Sequence, residues 1–395
     1  MRAYLALFCC VCTLALTGVA GLNYMVDPYL THQWDSPLLQ RLRPSREKLS
    51  AWGKTYALAR YRPDVLYLGN SRTELALPVR LPVFSGAAVF NGALSGASLG
   101  DAVAMAGHAR ALKRLGTVVW GLDAPSFSML AGATDFDRDL VAAGGHYFAW
   151  RGLLDLKRAL TLDMTRDSLA VLAGSFGAVC RSSLAFFGQR DDSCMADRTA
   201  GWRGTAEAVA PRLGEFMRGA GPTPDALTGL DDMLAQLCRD GTRVRLYINP
   251  THASTLDALY WRGKGGALER WQASLAVLAA ERRTAGCDLR LFDFSGFNAI
   301  TTEALPQASG RREMAYYWEP SHYRVNVGRM IMQRLFGGEA DPAPPDFGVE
   351  LEPPMMAAHL ARQREGRARY HAEHALEAAL ARSLAEAEGA PKPAR

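Results

Sequence analysis

The chain has 395 residues, of which 49% are hydrophobic and 22% are charged, and its net charge is +5. This length allows one large α/β domain with attachments or two modest domains. The composition is ordinary for a folded protein. The basic residues are scattered along the sequence and form no stripe, so nothing favours a nucleic-acid partner.

The N-terminus carries the least ordinary segment of the sequence. Residues 3–24 form an uncharged apolar run behind Met1 and Arg2. About 20 apolar residues in a helix cross a hydrocarbon core of roughly 30 Å, so the run predicts a transmembrane anchor over residues 1–24. The positive charge of Arg2 predicts a cytoplasmic N-terminus and an exported remainder. The alternative is a signal peptide cleaved near Gly18-Val19-Ala20, which exports the remainder as well.

Strand and helix patterns alternate over residues 64–337, after a Pro-interrupted juxtamembrane connector at 25–63. Apolar runs predict strands at 65–68, 87–90, 117–122, 244–248 and 289–294. Helical patterns precede or follow them at 46–60, 101–115, 224–240 and 325–336. Strands that alternate with helices form βαβ units, so we expect an α/β fold with a doubly wound, mostly parallel five-stranded sheet in three α/β/α layers.

The other segments lack this alternation. Residues 130–220 are rich in Gly, Arg and Asp and predict an insertion or cap over the sheet, whereas the Pro-rich residues 338–354 predict a linker. The last segment, 355–395, predicts a solvated helical tail, which is either a plain surface helix or a site for a protein partner. Cys180 and Cys194 could form a disulfide worth roughly 3 kcal/mol in an oxidising compartment, or stay free thiols.

Polar residues follow the predicted strands where a parallel sheet gathers its ligands, at the carboxyl ends. The first strand is followed by Gly69-Asn70-Ser71-Arg72, and the segment before the last helix reads YYWEPSHY, with Glu319 and His322 three positions apart. A serine nucleophile needs a base, and the base needs a third group that orients it. Ser71, His322 and Glu319 fit these three roles.

This order of motifs resembles the SGNH/GDSL hydrolase superfamily over roughly residues 60–337. The closest resemblance is to membrane-anchored SGNH-like proteins of bacterial envelope polysaccharide O-acetylation, with GNSR in place of GDS. The resemblance implies an SGNH/flavodoxin-like sheet and a single-pass protein of the bacterial inner membrane with its domain in the periplasm. It makes Ser71 the nucleophile, His322 the general base and Glu319 the orienting acid, where the family has Asp.

The resemblance also implies an oxyanion hole. The Ser71 amide is one donor, the oxyanion glycine corresponds to Gly92 or Gly96, and Asn91 is a further side-chain donor. The block that supplies an Asn donor in the family ends in Asp123 here, and an ionised carboxylate repels an oxyanion. Either Asn91 substitutes, or Asp123 is structural, or the site is degraded.

Two more polar residues lie at the same predicted edge. Arg72 either binds an anionic or sugar substrate or forms a salt bridge, and His252 either contacts substrate or fills a polar pocket. No metal or organic cofactor is implied. The expected function is a serine esterase or O-acyltransferase on an envelope glycan. The alternative is a non-catalytic scaffold or glycan-binding component of an envelope assembly.

Overall fold

The structure is a computed structural model. It describes residues 1–29, 31–32, 50–132, 136, 138, 141, 147–175, 187–190, 192, 195, 211–214, 216, 221–306, 313–337 and 343–389. One mostly parallel six-stranded sheet organises the described chain, with strand order β2-β1-β3-β4-β5-β8. The strands are β1 (Val65–Leu68), β2 (Val89–Asn91), β3 (Thr117–Leu122), β4 (Arg243–Ile248), β5 (Leu289–Asp293) and β8 (Val349–Glu350), and a separate two-stranded sheet contains β6 (Tyr317–Glu319) and β7 (His322–Tyr323).

The described residues form helices on both faces of the six-stranded sheet and others away from it. In chain order they are α1 (Arg2–Val26), α2 (Ser50–Tyr61), α3 (Ser71–Ala76), α4 (Leu99–Leu112), α5 (Tyr147–Ala159), α6 (Leu162–Leu172), α7 (Pro224–Arg239), α8 (Ala253–Trp261), α9 (Gly265–Thr284), α10 (Val325–Phe336), α11 (Met356–Glu373) and α12 (Ala375–Gly389).

The first five strands confirm the predicted α/β class and the mostly parallel sheet. β3 lies between β1 and β4 and is parallel to both, with Thr117 opposite Val65 and Arg243. The chain order reverses at the β1/β3 junction, because β2 lies outside β1 and β4 lies beyond β3. Such a reversal opens a crevice at the carboxyl edge, where open α/β sheets bind their ligands. The sixth strand, β8, is antiparallel to β5 and was not predicted.

The sheet is covered on both faces, because successive strand residues point into opposite cores. Leu66, Val118 and Leu246 pack on one side with helices α2, α4, α7 and α9. Tyr67 and Tyr247 pack on the other side with α3, α8, α10 and α12. All five of these strand residues are fully buried. Strands buried on both faces read as continuous apolar runs, which explains why the sequence showed them without alternation.

The N-terminal helix α1 is long and apolar enough to cross a membrane, with a mean hydropathy of 2.3 over its most apolar window. Nothing in that window is buried by the rest of the protein. Only its last turns touch other elements, through the buried residues Asn23 and Val26. The helix therefore projects from the domain with an apolar surface all round.

The C-terminal helices α11 and α12 belong to the domain, in contrast to the expected solvated tail. Tyr370 and Ala381 are buried, and α12 packs along α8. Glu377 accepts hydrogen bonds from the Leu305 amide (2.9 Å) and the Tyr370 hydroxyl (3.0 Å). Buried Asp257 accepts hydrogen bonds from Arg367 and from His371. These contacts fix the end of the described chain on the α8 side of the sheet.

About half of the insertion at 130–220 lies outside the described residues. Its described helices, α5 and α6, pack against α1, so this part of the insertion does not cover the sheet. Shorter described pieces do reach the sheet edge, at Met195 and Phe216. The described residues of the insertion therefore include a part beside α1 and a part beside the carboxyl ends of the strands.

A disulfide joins Cys238 near the end of α7 to Cys287 just before β5. The sequence contained no spacing signal for this pair, and the predicted partners Cys180 and Cys194 lie outside the described residues. The bond closes a loop with a sequence separation of 49, which the chain-entropy model values at roughly 4 kcal/mol. It therefore links the two elements that flank β4 and α9.

Replacing Cys238 and Cys287 together by Ser is expected to lower the free energy of unfolding by up to about 4 kcal/mol, because the unfolded chain loses a cross-link. The measurement is the denaturation midpoint of the protein in detergent, with and without reductant. Wild type should shift towards the variant on reduction. If the variant unfolds at the wild-type midpoint under oxidising conditions, the bond contributes nothing to stability.

Candidate active site

The loop after β1 presents Ser71 at the carboxyl edge of the sheet. Gly69 has φ of 144°, and a Cβ at this position would overlap Thr73 Oγ1, so the sharp turn requires glycine. Asn70 then caps α3, since its side-chain oxygen accepts a hydrogen bond from the Arg72 amide at 3.1 Å. Ser71 becomes the first helical residue and remains half-buried. The glycine hinge and the Asn cap together direct the hydroxyl into the crevice.

The β6–β7 hairpin brings the histidine and the acid to this serine. Glu319 ends β6, and His322 begins β7 after a two-residue turn. His322 Nε2 lies 2.8 Å from Ser71 Oγ, and His322 Nδ1 is hydrogen-bonded to Glu319 Oε1. If Nδ1 carries the proton that Glu319 accepts, Nε2 is free to accept the Ser71 proton. The three side chains form the hydrogen-bonded chain that a nucleophilic serine requires.

The carboxylate of Glu319 is fully buried but well compensated. Burial alone would raise the pKa of Glu319, but the charge and hydrogen bond of His322, the Arg212 guanidinium and the Ser321 amide together lower it below the ordinary value. Arg212 Nε lies 3.7 Å from Oε1, and the Ser321 amide donates to Oε2 at 2.8 Å. Glu319 is therefore ionised at neutral pH and can stabilise a protonated His322.

Arg72 and Asp123 form a buried ion pair directly beneath the serine. Arg72 Nη1 lies 2.7 Å from Asp123 Oδ1, and both side chains are less than a tenth exposed. The other oxygen of Asp123 accepts hydrogen bonds from Asn70 (2.6 Å) and Asn249 (2.9 Å). Arg72 also donates to the Ser321 carbonyl (2.7 Å) and hydroxyl (3.2 Å). The contacts of Arg72 thus support the salt-bridge interpretation, and those of Asp123 support a structural role.

Two of the expected oxyanion donors are engaged in holding the backbone. The Asn91 amide nitrogen donates to the Thr73 carbonyl at 2.9 Å, and its side-chain oxygen accepts from the Ala93 amide at 3.1 Å. The Gly92 amide donates to the Tyr67 carbonyl at 2.9 Å. Neither group is available to a substrate, so Asn91 cannot substitute for the missing Asn donor.

The remaining expected donors are the amides of Ser71 and Gly96. The Ser71 amide is the first of α3 and has no partner within the helix, as helix geometry dictates. Gly96 is exposed, has φ of 74°, and follows Ser95, whose hydroxyl donates to Glu74 Oε2 at 2.6 Å. That hydrogen bond holds the Gly96 turn against α3. The substrate oxygen that becomes an oxyanion would therefore have to lie between these two backbone positions.

His252 is a buried helix cap and not part of the constellation. Its Nδ1 accepts a hydrogen bond from the Ser254 amide at 3.2 Å, and its Nε2 donates to the Glu303 carbonyl at 2.7 Å. Burial lowers the pKa of His252 to about 4, so this ring is neutral at physiological pH. Of the two interpretations left open by the sequence, the structure supports the polar-pocket role.

Sequence reasoning missed a buried ion pair one turn of α3 beyond Ser71. Lys54 Nζ donates to Glu74 Oε1 at 2.7 Å, and both side chains are completely buried. Burial lowers the pKa of Lys54, against the raising effect of Glu74. Glu74 follows Ser71 by three positions, which is one helical turn, and that spacing was the only available signal. The pair connects α2 to the helix that carries the candidate nucleophile Ser71.

The part of the insertion beside the sheet completes the walls of the crevice. The Phe216 ring packs over the Arg72 guanidinium, with 4.5 Å between the guanidinium carbon and the ring centroid. Beside it lies an apolar pocket of about 180 Å³, lined by Ala124, Pro125 and Leu259 among others. Residues of the insertion, which the strand pattern of the sequence did not predict at this edge, therefore shape the space next to the catalytic candidates.

Comparison with known proteins gives no match: neither a protein-family model nor a curated protein matches the sequence. Within the described ranges, no group of three or more His, Cys, Asp and Glu side chains is arranged to hold a metal ion. The function is therefore inferred from the geometry of Ser71, His322 and Glu319.

Replacing Asp123 by Asn is expected to lower the free energy of unfolding by about 3–5 kcal/mol, because the charge of buried Arg72 loses its counter-ion. The control is Glu386→Gln, which breaks an exposed ion pair with Arg382 and should cost less than about 1 kcal/mol. Chemical denaturation of both variants provides the measurement. Equal midpoints for the two variants would contradict the structural role of the Arg72–Asp123 pair.

Stability should fall as the pH drops from about 6.5, the ordinary pKa of His, towards about 4, the lowered pKa of His252. In this window the unfolded chain binds a proton at residue 252 and the folded chain does not, which contributes roughly 1.4 kcal/mol per pH unit. His252→Asn removes this contribution and should flatten the pH dependence, measured as unfolding free energy between pH 7 and pH 4.5. An unchanged slope in the variant would refute the assignment.

Proposed function

We propose that this protein is an exported, membrane-anchored serine esterase or O-acyltransferase of the SGNH type, which acts on a cell-envelope glycan through an acyl-enzyme. The observation that carries the proposal is the chain of hydrogen bonds from Ser71 through His322 to buried Glu319. Ser71 follows β1 at the start of α3, whereas His322 and Glu319 belong to the β6–β7 hairpin. Ser71 and His322 are 251 positions apart in the sequence. A hydrogen-bonded Ser-His-acid arrangement at a sheet edge is recognised by geometry and not by sequence position.

The geometry supports a two-step acyl transfer. Ser71 Oγ attacks the carbonyl carbon of an ester while its proton passes to His322 Nε2, and Glu319 stabilises the resulting imidazolium. The tetrahedral oxyanion is stabilised by the Ser71 amide and the Gly96 turn. The alcohol leaves with the proton from His322, and the acyl group stays on Ser71. Water or a sugar hydroxyl then attacks the acyl carbon and gives its proton to His322. The bond from the acyl carbon to Ser71 Oγ breaks, His322 returns the proton to Ser71, and the acid or the new ester is released.

The SGNH assignment is supported by where the parts lie on the sheet. The serine follows the first strand, and the acid-x-x-His block precedes the last helix of the parallel α/β unit. The pocket of about 180 Å³ beside Phe216 has a mostly apolar lining, which also includes Lys264, and its size suits a short acyl group. A small acyl group is the part of the substrate that agrees with this pocket.

Export is supported by two independent features. Helix α1 is long and apolar enough to span a membrane, and only Arg2 provides a flanking charge on its N-terminal side. The Cys238–Cys287 disulfide is typical of an oxidising compartment such as the bacterial periplasm. We therefore propose a single-pass protein of the bacterial inner membrane with its catalytic domain in the periplasm.

A serine-directed phosphonate should label the wild-type protein at Ser71 and should leave Ser71→Ala unlabelled. His322→Ala should label far more slowly, and Glu319→Gln should reduce esterase turnover on a chromogenic acetyl ester by on the order of 10²–10⁴-fold, since the His tautomer is no longer held. The matched control is Ser85→Ala, which removes an exposed serine outside the site. Labelling that persists in Ser71→Ala would disprove the nucleophile assignment.

A second candidate is a non-catalytic scaffold or glycan-binding protein with the same fold. The observation that favours it is the engagement of Asn91 and Gly92 within the protein, which leaves only backbone groups for an oxyanion hole. Under this alternative, wild type and Ser71→Ala would both resist the phosphonate and bind envelope glycan equally. Selective labelling of wild type would exclude it.

A further inference from the structure

The helical hairpin formed by α5 and α6 (residues 147–172, called the α5–α6 hairpin) carries an unusual number of exposed apolar side chains. Trp150, Leu153, Leu156 and Leu160 are exposed along one side of α5 and its C-terminal end, at spacings of three, three and four positions. On α6 and at its start, Leu162, Leu169 and Leu172 are exposed, with Leu162 87% exposed. Outside α1, half of the exposed large apolar side chains in the described ranges belong to this hairpin.

The hairpin is attached to the end of the membrane-spanning helix. Asn23 donates from Nδ2 to the Ala159 carbonyl at 2.8 Å and to Thr165 Oγ1 at 2.9 Å. Val26 packs against Val171, and the Tyr29 hydroxyl donates to Asp167 at 2.8 Å. These contacts hold α5 and α6 against the last two turns of α1.

The position of these contacts along α1 fixes the height of the hairpin. From Ala3 to Asn23 the helix rises about 30 Å, which equals the hydrocarbon thickness of a bilayer. If α1 spans the membrane, Asn23 therefore lies at the boundary where α1 leaves the hydrocarbon. Elements bonded to Asn23 must lie at the same level, so their exposed leucines face the acyl-chain and headgroup boundary.

We propose that the α5–α6 hairpin is embedded in the bilayer that α1 crosses, at the membrane–water interface on the side of the folded domain. Lipid would cover its exposed apolar side chains. An amphipathic helix with Trp and Leu on one side and charged residues on the other binds membranes in this way. Trp150 contributes the ring type that prefers the interface. Among the charged residues of the hairpin, Arg151 and Asp167 contact the protein at Thr55 and Tyr29. Lys157, Asp163 and Arg166 are exposed, and at the interface they would lie at the level of the headgroups.

A groove between α1 and α5 extends this lipid-facing surface. It has a volume of about 470 Å³, and its lining includes Ala20, Gly21, Gly152 and Leu156. Small residues of both helices line it, and polar residues such as Asp155 and Arg158 also contribute. Because the groove adjoins the membrane helix, an acyl chain of the surrounding bilayer is the occupant that agrees with its mostly apolar lining.

The hairpin also connects the bilayer to the catalytic domain. Arg151 Nη2 donates to Thr55 Oγ1 at 3.1 Å, and the guanidinium carbon lies 3.0 Å from the centroid of the Tyr56 ring. Lys54, the residue before Thr55, forms the buried pair with Glu74 on α3. An interfacial hairpin would therefore fix the tilt of the domain relative to the membrane, which α1 alone does not. This inference does not depend on the proposed catalytic activity.

The test uses the full-length protein in vesicles of phosphatidylethanolamine and phosphatidylglycerol, with plain or brominated acyl chains. Bromine quenches tryptophan emission only within the acyl-chain region. The emission that brominated lipid removes should be smaller in Trp150→Phe than in wild type. Trp261→Phe, which removes an exposed tryptophan on α8, should lose as much emission to brominated lipid as wild type does. Equal quenching in wild type and Trp150→Phe would overturn the proposal and point to a protein partner on this surface.

A second pair of variants keeps the tryptophans intact. Leu153→Asp places a charge on the lipid-facing side and should reduce the quenching, because the hairpin moves towards water. Leu376→Asp, at a position 76% exposed on α12, should leave the quenching unchanged. If Leu153→Asp folds, as judged by circular dichroism, and its quenching equals that of Leu376→Asp, the hairpin does not contact lipid.

Discussion

The ion pair between Arg72 and Asp123 is the constraint on which the candidate site depends. Burying two charges costs several kcal/mol each, and the cost is offset only when the remaining donors and acceptors are also satisfied. Here Asn70 and Asn249 donate hydrogen bonds to Asp123, while Arg72 donates two hydrogen bonds to Ser321. Ser321 precedes His322, so Arg72, the residue after the candidate nucleophile Ser71, holds the turn that carries the candidate base His322.

This pairing changes the meaning of Asp123. As an isolated carboxylate at the carboxyl end of β3, it would oppose an oxyanion and argue for a degraded site. With Arg72 at 2.7 Å its charge is compensated, and its oxygens are directed at side chains of the scaffold. The carboxylate of Asp123 therefore connects the ends of three strands, β1, β3 and β4. Because its charge is compensated, it repels an oxyanion less than the sequence alone suggests.

The sequence was sufficient for those features that depend on local periodicity. The strand at Thr117–Leu122 was predicted to the residue, because a doubly covered strand is a continuous apolar run. The position of a residue at the sheet edge was predictable, but the direction of its side chain was not: Asn91 and His252 both lie at that edge and bind backbone groups. Strand β8 was not predicted, because a strand of two residues is too short to show a hydrophobic period. The C-terminal helices were predicted to be solvated, because a buried polar residue such as Glu377 counts as exposed in a sequence pattern.

In the proposed reaction, the choice between hydrolysis and transfer depends on how water reaches the acyl-enzyme. A sugar hydroxyl competes with water only if the acceptor is held near Ser71 and the site is closed around it. His322 is nearly buried while Ser71 is half-exposed, so access is controlled from the serine side. That side is bounded by Phe216 and Met195 of the insertion, which pack on Arg72 and Leu75 next to the nucleophile. For the proposed activity, we therefore expect specificity to reside in the insertion, while the sheet supplies the chemistry that both reactions share.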